Sequence, residues 1–227
     1  MAELVERLWT ATNDRDVRVI IITGAGEKAF SAGGDLSSGF IQDPLASHGE
    51  RGAFADLFRL MRRCGKPTIA RVNGHALAGG FGLAAACDIV IAVDTATFGT
   101  PEINVGLWPM MISAVLQRLV PQKAALELMM TGRRISAEEA ARLGVVSRVV
   151  ARHELDAVVA ETVDALVAAS PALLKLGKDA FYAVEDMSLD EALDHLQTGL
   201  TATAMTEDSV EGVSAFLAKR EPEWRGR

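Results

Sequence analysis

The sequence predicts an α/β fold that continues into a helical C-terminal region, and three observations support this prediction. The β-branched run DVRVIIITG (16–24) is typical of a strand buried on both faces. Two further strand-like runs, TIARVNG (68–74) and DIVIAVD (88–94), flank an alanine-rich segment of helical length, which predicts a parallel β-α-β unit. Beyond Met111 the apolar spacing becomes mostly helical, with VVSRVV (145–150) as one late strand.

The remaining elements follow from local signals. An amphipathic pattern predicts a helix over residues 2–12, and a Gly/Ser-rich loop follows the first strand over 25–40. Apolar residues at helical spacing then predict a helix through Phe54, Leu57, Phe58 and Met61. We expect an α/β core over residues 1–150 and a helical region over 151–227.

Helix start signals organise the second half of the chain. Ser136 and Glu139 form a predicted capping box, and Gly144 marks the end of the helix that they open. Four helices are expected after the last strand, one with Pro171 near its start and one opened by the pair Ser188 and Glu191.

The composition limits the function classes. The 227 residues are 49% hydrophobic and 23% charged, an ordinary globular composition, and the net charge of −7 argues against a nucleic-acid or anionic-membrane binder. Cys64 and Cys87 show no metal-ligand spacing, and we expect both to be buried thiols in a reducing compartment. The amino terminus is charged, and the longest apolar run, 76–87, is too short for a membrane span. We expect a cytoplasmic protein without a metal.

Glycines follow the first strand in a pattern that resembles a dinucleotide-binding motif. The segment GAGEKA (24–29) fits G-x-G-x-x-A, and Asp43 lies where a ribose-binding acid would be expected. That motif must open a helix that leads to a second strand. The following AFSAGGDLSSGF (29–40) cannot hold a helix, so the sequence disfavours this interpretation.

A second interpretation uses two separate glycine sites. Gly33 and Gly34 follow the first strand, and Gly79 and Gly80 follow the next one and open the alanine-rich helix. Glycines let a ligand approach the backbone, and one N–H group from each loop would form an oxyanion hole. Close packing between strand and helix is the alternative explanation.

One acidic residue stands out after the third strand. In TFGTPEINVGLWP (97–109), Glu102 follows a proline within a largely apolar stretch. A carboxylate in apolar surroundings is a candidate general base with a raised pKa, although such a residue is more often a surface or paired group.

Taken together, four stretches resemble the crotonase superfamily, the enoyl-CoA hydratase/isomerase family. They are AFSAGGDL (29–36), the segment from KPTIARVNG to VGLWP (66–109), TGRRISAEEAARLGVVSRVV (131–150) and EGVSAFLAKREPEW (211–224). The resemblance implies a crotonase-like ββα spiral with a C-terminal helical trimerisation region. It also implies an acyl-CoA substrate, no cofactor beyond the CoA of that substrate, and a homotrimer or hexamer.

The resemblance assigns roles to individual residues. The backbone N–H groups of Gly34 and Gly79 match the oxyanion hole, and Glu102 matches the second of two glutamates that handle water in the hydratases. The first glutamate is replaced by Gly82. Because moving a double bond needs only one base, this departure favours a Δ3,Δ2-enoyl-CoA isomerase over a 2-enoyl-CoA hydratase. A catalytically weak CoA-thioester-binding protein is the third possibility.

The resemblance also implies substrate contacts. In the core the implied contact residues are Ala32, Asp35, Leu36, Ala78, Gly82 and Pro101. The segment LWPMMIS (107–113) is bulkier than the glycine-rich run often seen there in hydratases, so Trp108 is a further candidate wall of the acyl pocket, with plain core packing as the alternative. Near the end of the chain, Phe216 and Lys219 match residues that reach the CoA of a neighbouring subunit, and an amphipathic terminal helix with a solvated lysine is the alternative. The chain starts inside the region where family members carry an N-terminal strand pair, so we expect that pair to be missing from the core.

Overall fold

A computed structural model of the chain describes residues 2–35 and 45–227. Within these residues eight strands form two four-stranded sheets, with helices packed around them. The strands are β1 (Ile20–Thr23), β2 (Ala29–Ser31), β3 (Thr68–Val72), β4 (His75–Leu77), β5 (Ile89–Val93), β6 (Thr97–Gly99), β7 (Arg134–Ser136) and β8 (Arg148–Val150). The α-helices are α1 (Ala2–Asn13), α2 (Ala46–Arg63), α3 (Gly79–Ala85), α4 (Met110–Leu119), α5 (Gln122–Thr131), α6 (Ala137–Arg142), α7 (Leu155–Val167), α8 (Pro171–Ala183), α9 (Leu189–Ala204) and α10 (Glu207–Ala218).

The first sheet has the strand order β1-β3-β5-β8, and all of its neighbouring strands are parallel. Its central strands carry fully buried side chains, among them Ile69, Val72 and Ile91. The predicted parallel β-α-β unit is confirmed, since β3 pairs with β5 and α3 lies between them in the chain.

The second sheet has the order β2-β4-β6-β7, and its individual strands were not among those predicted from local sequence patterns. Strands β2, β4 and β6 are parallel, whereas β6 and β7 are antiparallel. Each strand of this sheet is three residues long. The order of elements, β1-β2-α2, β3-β4-α3 and β5-β6-α4, is the expected spiral of ββα units.

The helical C-terminal region is present, with α7 to α10 after the last strand. Ser188 and Glu191 form the predicted capping box at α9, in which the Ser188 side chain accepts from the Glu191 N–H and the Glu191 carboxylate accepts from the Ser188 N–H. Ser136 likewise accepts a hydrogen bond from the N–H of Glu139 and so caps α6, while the Glu139 carboxylate pairs with Arg133. The boundary at residue 150 stays a prediction.

Two further expectations concern single segments. Residues 24–28 lead directly into β2 without a helix, so the dinucleotide motif is excluded. Cys64 and Cys87 are buried free thiols, and burial raises the pKa of Cys87. Leu36 and Asp43 lie outside the described residues.

Among the described helices, none is by itself long and apolar enough to cross a membrane. Two consecutive helical segments, Arg152–Val167 and Pro171–Ala183, reach the required length and composition only when they are taken together, and the chain bends by 101° between them.

Candidate active site

The predicted catalytic residues follow the carboxyl ends of three neighbouring strands in the second sheet. Gly34 lies just after β2, Gly79 just after β4, and Glu102 just after β6. Because these strands are parallel neighbours, their carboxyl ends lie at one edge of the sheet. The topology therefore brings together three residues that are far apart in the sequence.

The two glycine loops are in direct contact. Gly33 has a φ of +96°, and a Cβ atom placed on it would lie 2.8 Å from the Ala78 Cβ and 3.2 Å from the backbone nitrogen of Gly79. A side chain at position 33 would therefore strain the backbone and separate the loops. At Gly34 a Cβ would meet nothing within 4 Å among residues 2–35 and 45–227.

Ala78 holds an unusual backbone conformation where β4 meets α3. Its φ of +51° and ψ of −129° are rare for a residue with a side chain. The N–H of Ala78 donates to Gly99 O at 2.9 Å, and its own carbonyl accepts from Phe81 N at 2.9 Å. Strained residues of this kind persist only where surrounding contacts fix them, and they cluster at functional sites.

Glu102 lies in a 3₁₀ turn, Pro101–Val105, that is anchored to α5. The buried hydroxyl of Thr100, just before the turn, donates to Leu128 O at 3.1 Å. On the other side of the turn, a Cβ placed on Gly132 would lie 2.9 Å from side-chain atoms of Ile103 and Asn104, so α5 ends in close contact with it.

The Glu102 carboxyl is partly buried. Its Oε2 atom is inaccessible to solvent and has no hydrogen-bond partner among the described residues. Burial raises its pKa above the ordinary value of 4.5, and a hydrogen bond from its own backbone N–H offsets this only in part. A buried carboxyl with a free oxygen and a raised pKa suits a general base.

The position of the missing glutamate is closed by apolar side chains. Gly82 is buried on α3, and a Cβ atom placed on it would lie 2.9 Å from Ile112 Cγ1 and 3.1 Å from Phe58 Cζ. Sequence reasoning predicted the departure at Gly82, but it did not identify the two side chains that fill the space.

Aromatic residues of α2 line the same region. Phe54 and Phe58 pack with their ring centroids 4.5 Å apart, and Phe54 Cζ would lie 3.3 Å from a Cβ placed on Gly79. Trp108, predicted as a substrate contact, is partly buried and packs against the core. Met110, two residues on, is 71% exposed.

The other predicted substrate contacts lie at two places. Ala32 and Asp35 belong to the loop that follows β2, and Pro101 begins the 3₁₀ turn that follows β6. Phe216 and Lys219 lie at the end of α10, which packs against α8 and α9, and Phe216 is 82% exposed. Within residues 2–35 and 45–227 no three His, Cys, Asp or Glu side chains are grouped so as to hold a metal ion.

Comparison with known proteins identifies the family. The family model for enoyl-CoA hydratase/isomerase matches residues 1–227. The chain belongs to the enoyl-CoA hydratase/isomerase family. A carnitinyl-CoA dehydratase of Salmonella arizonae is 42% identical over 227 residues, which span 97% of this chain and 86% of the relative. A carnitinyl-CoA dehydratase of Escherichia coli is 39% identical over 231 residues, which span 99% of this chain and 88% of that protein.

Solved structures support the same assignment. The crystal structure of an enoyl-CoA hydratase from Mycobacterium smegmatis matches with a TM-score of 0.93 at 37% identity, covering 98% of this chain and 87% of that one. An enoyl-CoA hydratase from Bacillus anthracis matches with a TM-score of 0.93 at 32% identity, covering 100% of this chain and 90% of that one. The fold is therefore the crotonase fold that the sequence resemblance implied.

Proposed function

We propose that this member of the family is an acyl-CoA isomerase that moves a double bond from C3 to C2 with Glu102 as its single base. The observation that supports this most strongly is the contrast between two positions. Glu102 has a buried carboxyl oxygen with no hydrogen-bond partner among the residues that the structure describes, whereas position 82, where hydratases carry their other glutamate, is a glycine packed against Ile112 and Phe58.

The proposed reaction needs one proton carrier and one anion site. The Glu102 carboxylate removes a proton from C2 of a 3-enoyl thioester, and the C–H electron pair forms a dienolate with its negative charge on the thioester oxygen. The N–H groups of Gly34 and Gly79 would donate hydrogen bonds to that oxygen. The protonated Glu102 then returns the proton to C4, the C2–C3 double bond forms, and the thioester carbonyl is restored. No cofactor is needed beyond the CoA of the substrate.

A hydro-lyase is the second candidate, and the relatives favour it. Proteins about 40% identical to this chain are named carnitinyl-CoA dehydratases, and the matched structures are enoyl-CoA hydratases. Adding water to C3 requires a water molecule to be held and deprotonated while a proton reaches C2. With Gly82 in place of one acid, Glu102 would have to perform both proton transfers.

We also propose assembly through the C-terminal helices. The α9 residues Leu189, Leu193, Leu196 and Leu200 recur at helical spacing, and their exposed fractions range from 38% to 74%. An exposed apolar stripe of this kind marks an interaction surface. The family resemblance makes two further copies of the chain the expected occupants, in a trimer or a dimer of trimers.

Parallel incubation with a 3-enoyl-CoA and a 2-enoyl-CoA, followed by chromatographic separation of the products, tests the proposal. The isomerase predicts rapid conversion of 3-enoyl-CoA to 2-enoyl-CoA and slow formation of 3-hydroxyacyl-CoA from 2-enoyl-CoA. Rapid hydration with slow isomerisation would favour the hydro-lyase. Binding of both thioesters without conversion would favour the weak binding protein.

A further inference from the structure

The side chains around Gly82 come from two other helices. Ile112 on α4 is 3% exposed and Phe58 on α2 is 8% exposed. A Cβ placed on Gly82 would lie 2.9 Å from Ile112 Cγ1, 3.2 Å from Ile112 Cγ2 and 3.1 Å from Phe58 Cζ. Real Cβ atoms essentially never lie closer than 3.0 Å to such a neighbour, so even an alanine at this position requires Ile112 to move.

We infer that Phe58 and Ile112, here called the apolar wall, determine which reaction this active site performs. They fill the space where hydratases place the first of their two glutamates, and they keep both a carboxylate and its water away from that side of the acyl chain. This inference rests on the proposed function of Glu102 as a single base. It also gives a physical reason for the missing glutamate. The helices that carry Gly82, Phe58 and Ile112 pack so closely that a glutamate side chain does not fit at position 82.

Two physical effects keep the apolar wall in place. Ile112 is β-branched, so its χ1 angle has one strongly preferred value in a helix and its Cγ atoms cannot easily rotate away from Gly82. The Phe58 ring is fixed by its packing against Phe54. A glutamate at position 82 would also have to ionise among apolar groups, which disfavours its charged form.

A set of small substitutions tests the contact itself. Ile112→Ala removes both Cγ atoms that approach Gly82, whereas Ile112→Val keeps them, so the two variants are matched. We expect Gly82→Ala to lower the thermal unfolding midpoint in the wild type and in the Ile112→Val protein. In the Ile112→Ala protein the same substitution should lower it clearly less. Equal effects of Gly82→Ala in all three backgrounds would overturn the inference, and this test requires no enzyme activity.

A second set tests reaction specificity. In Gly82→Glu combined with Ile112→Ala, hydration of 2-enoyl-CoA should rise at least about tenfold over the wild type, because acid–base groups typically contribute 10²–10⁴-fold. Gly82→Gln with Ile112→Ala controls for the charge, and Gly82→Glu with Leu116→Ala controls for a cavity made one turn further along α4. Neither control should gain hydration.

The outcomes separate this inference from the proposed function. A wild type that does not isomerise 3-enoyl-CoA contradicts the proposed function, while the stability comparison still tests the apolar wall. Efficient hydration by the Gly82→Glu single variant would overturn the apolar wall, because the acid would then have fitted without any change at Ile112. If the glutamate variants fail to fold, the comparison of Gly82→Ala in the three backgrounds decides the question.

Discussion

The backbone N–H of Ala78 donates a hydrogen bond of 2.9 Å to the carbonyl oxygen of Gly99. This bond continues the parallel pairing of β4 with β6 beyond its last registered pair, Leu77 and Gly99. It joins the loop that carries Gly79 to the strand that leads to Glu102. The distance between the proposed anion site and the proposed base is therefore set by backbone structure.

The contact between the glycine loops predicts that alanine lowers stability at Gly33 but has little effect on stability at the adjacent Gly34. Gly33→Ala should greatly reduce activity and lower stability, because it combines a φ of +96° with a Cβ only 2.8 Å from that of Ala78. Gly34→Ala should change the free energy of unfolding by no more than about 0.5 kcal/mol, since its Cβ would meet nothing within 4 Å in the described part of the chain. Urea unfolding of both variants measures the difference, and equal losses would contradict the described contact.

The backbone strain at Ala78 predicts that glycine is tolerated there. A conformation of this kind costs about 1–3 kcal/mol for a residue with a side chain, which exceeds the roughly 1 kcal/mol entropy cost of a glycine. Ala78→Gly should therefore increase the free energy of unfolding by about 1 kcal/mol. Ala84→Gly, at a buried position in the last turn of α3, is the control and should decrease it by about 1 kcal/mol. If Ala78→Gly lowered the free energy of unfolding as much as Ala84→Gly, the backbone strain inferred at Ala78 would be contradicted.

The carboxylate of Asp208 predicts a pH dependence of the C-terminal region. Burial alone would raise its pKa, but hydrogen bonds from the Ser170 hydroxyl and from the N–H groups of Arg225 and Gly226 hold the pKa below the ordinary 3.8. Its contribution to stability is then present above pH 3.8 and is lost as the pH falls through the lowered value.

Asp208→Asn should cost about 1.5–3 kcal/mol at neutral pH, the range for hydrogen bonds to a charged group. Much of this difference from the wild type should disappear in strong acid. Asp164→Asn, at an exposed aspartate on α7, is the control and should have little effect. Denaturant unfolding at several pH values checks this, and a cost that does not change with pH would count against the assignment.

The exposed stripe on α9 predicts the state of assembly. Sedimentation should show a trimer or hexamer for the wild type. Leu193→Glu with Leu200→Glu should dissociate it, because the two charges would have to be buried in the interface. Thr198→Glu, on another face of α9, should leave the assembly intact. A wild-type monomer at micromolar concentration would contradict the proposal.

Sequence reasoning recovered the first sheet and the helical region but not the second sheet. Strands of three residues, such as β2 and β4, are too short for hydrophobic alternation to reveal them. Candidate site residues could nevertheless be named from the sequence, because the glycine loops and Glu102 carry chemical signals of their own, and their catalytic roles stay a prediction. The apolar wall could not be predicted, since Phe58 and Ile112 meet Gly82 only through the packing of three separate helices.

The rate of 3-enoyl-CoA isomerisation in the Glu102→Gln protein tests the central claim most directly. Glutamine keeps the size of the side chain but cannot accept the proton, so the rate should fall by at least about a hundredfold. Glu127→Gln, at an exposed carboxylate paired with Arg133, should leave the rate nearly unchanged. Burial raises the pKa of Glu102, so ionisation of this side chain destabilises the folded wild type as the pH rises above 4.5. The Gln variant does not carry this penalty, and we therefore expect it to remain folded at neutral pH. A folded Glu102→Gln protein that isomerises 3-enoyl-CoA at nearly the wild-type rate would contradict the single-base mechanism.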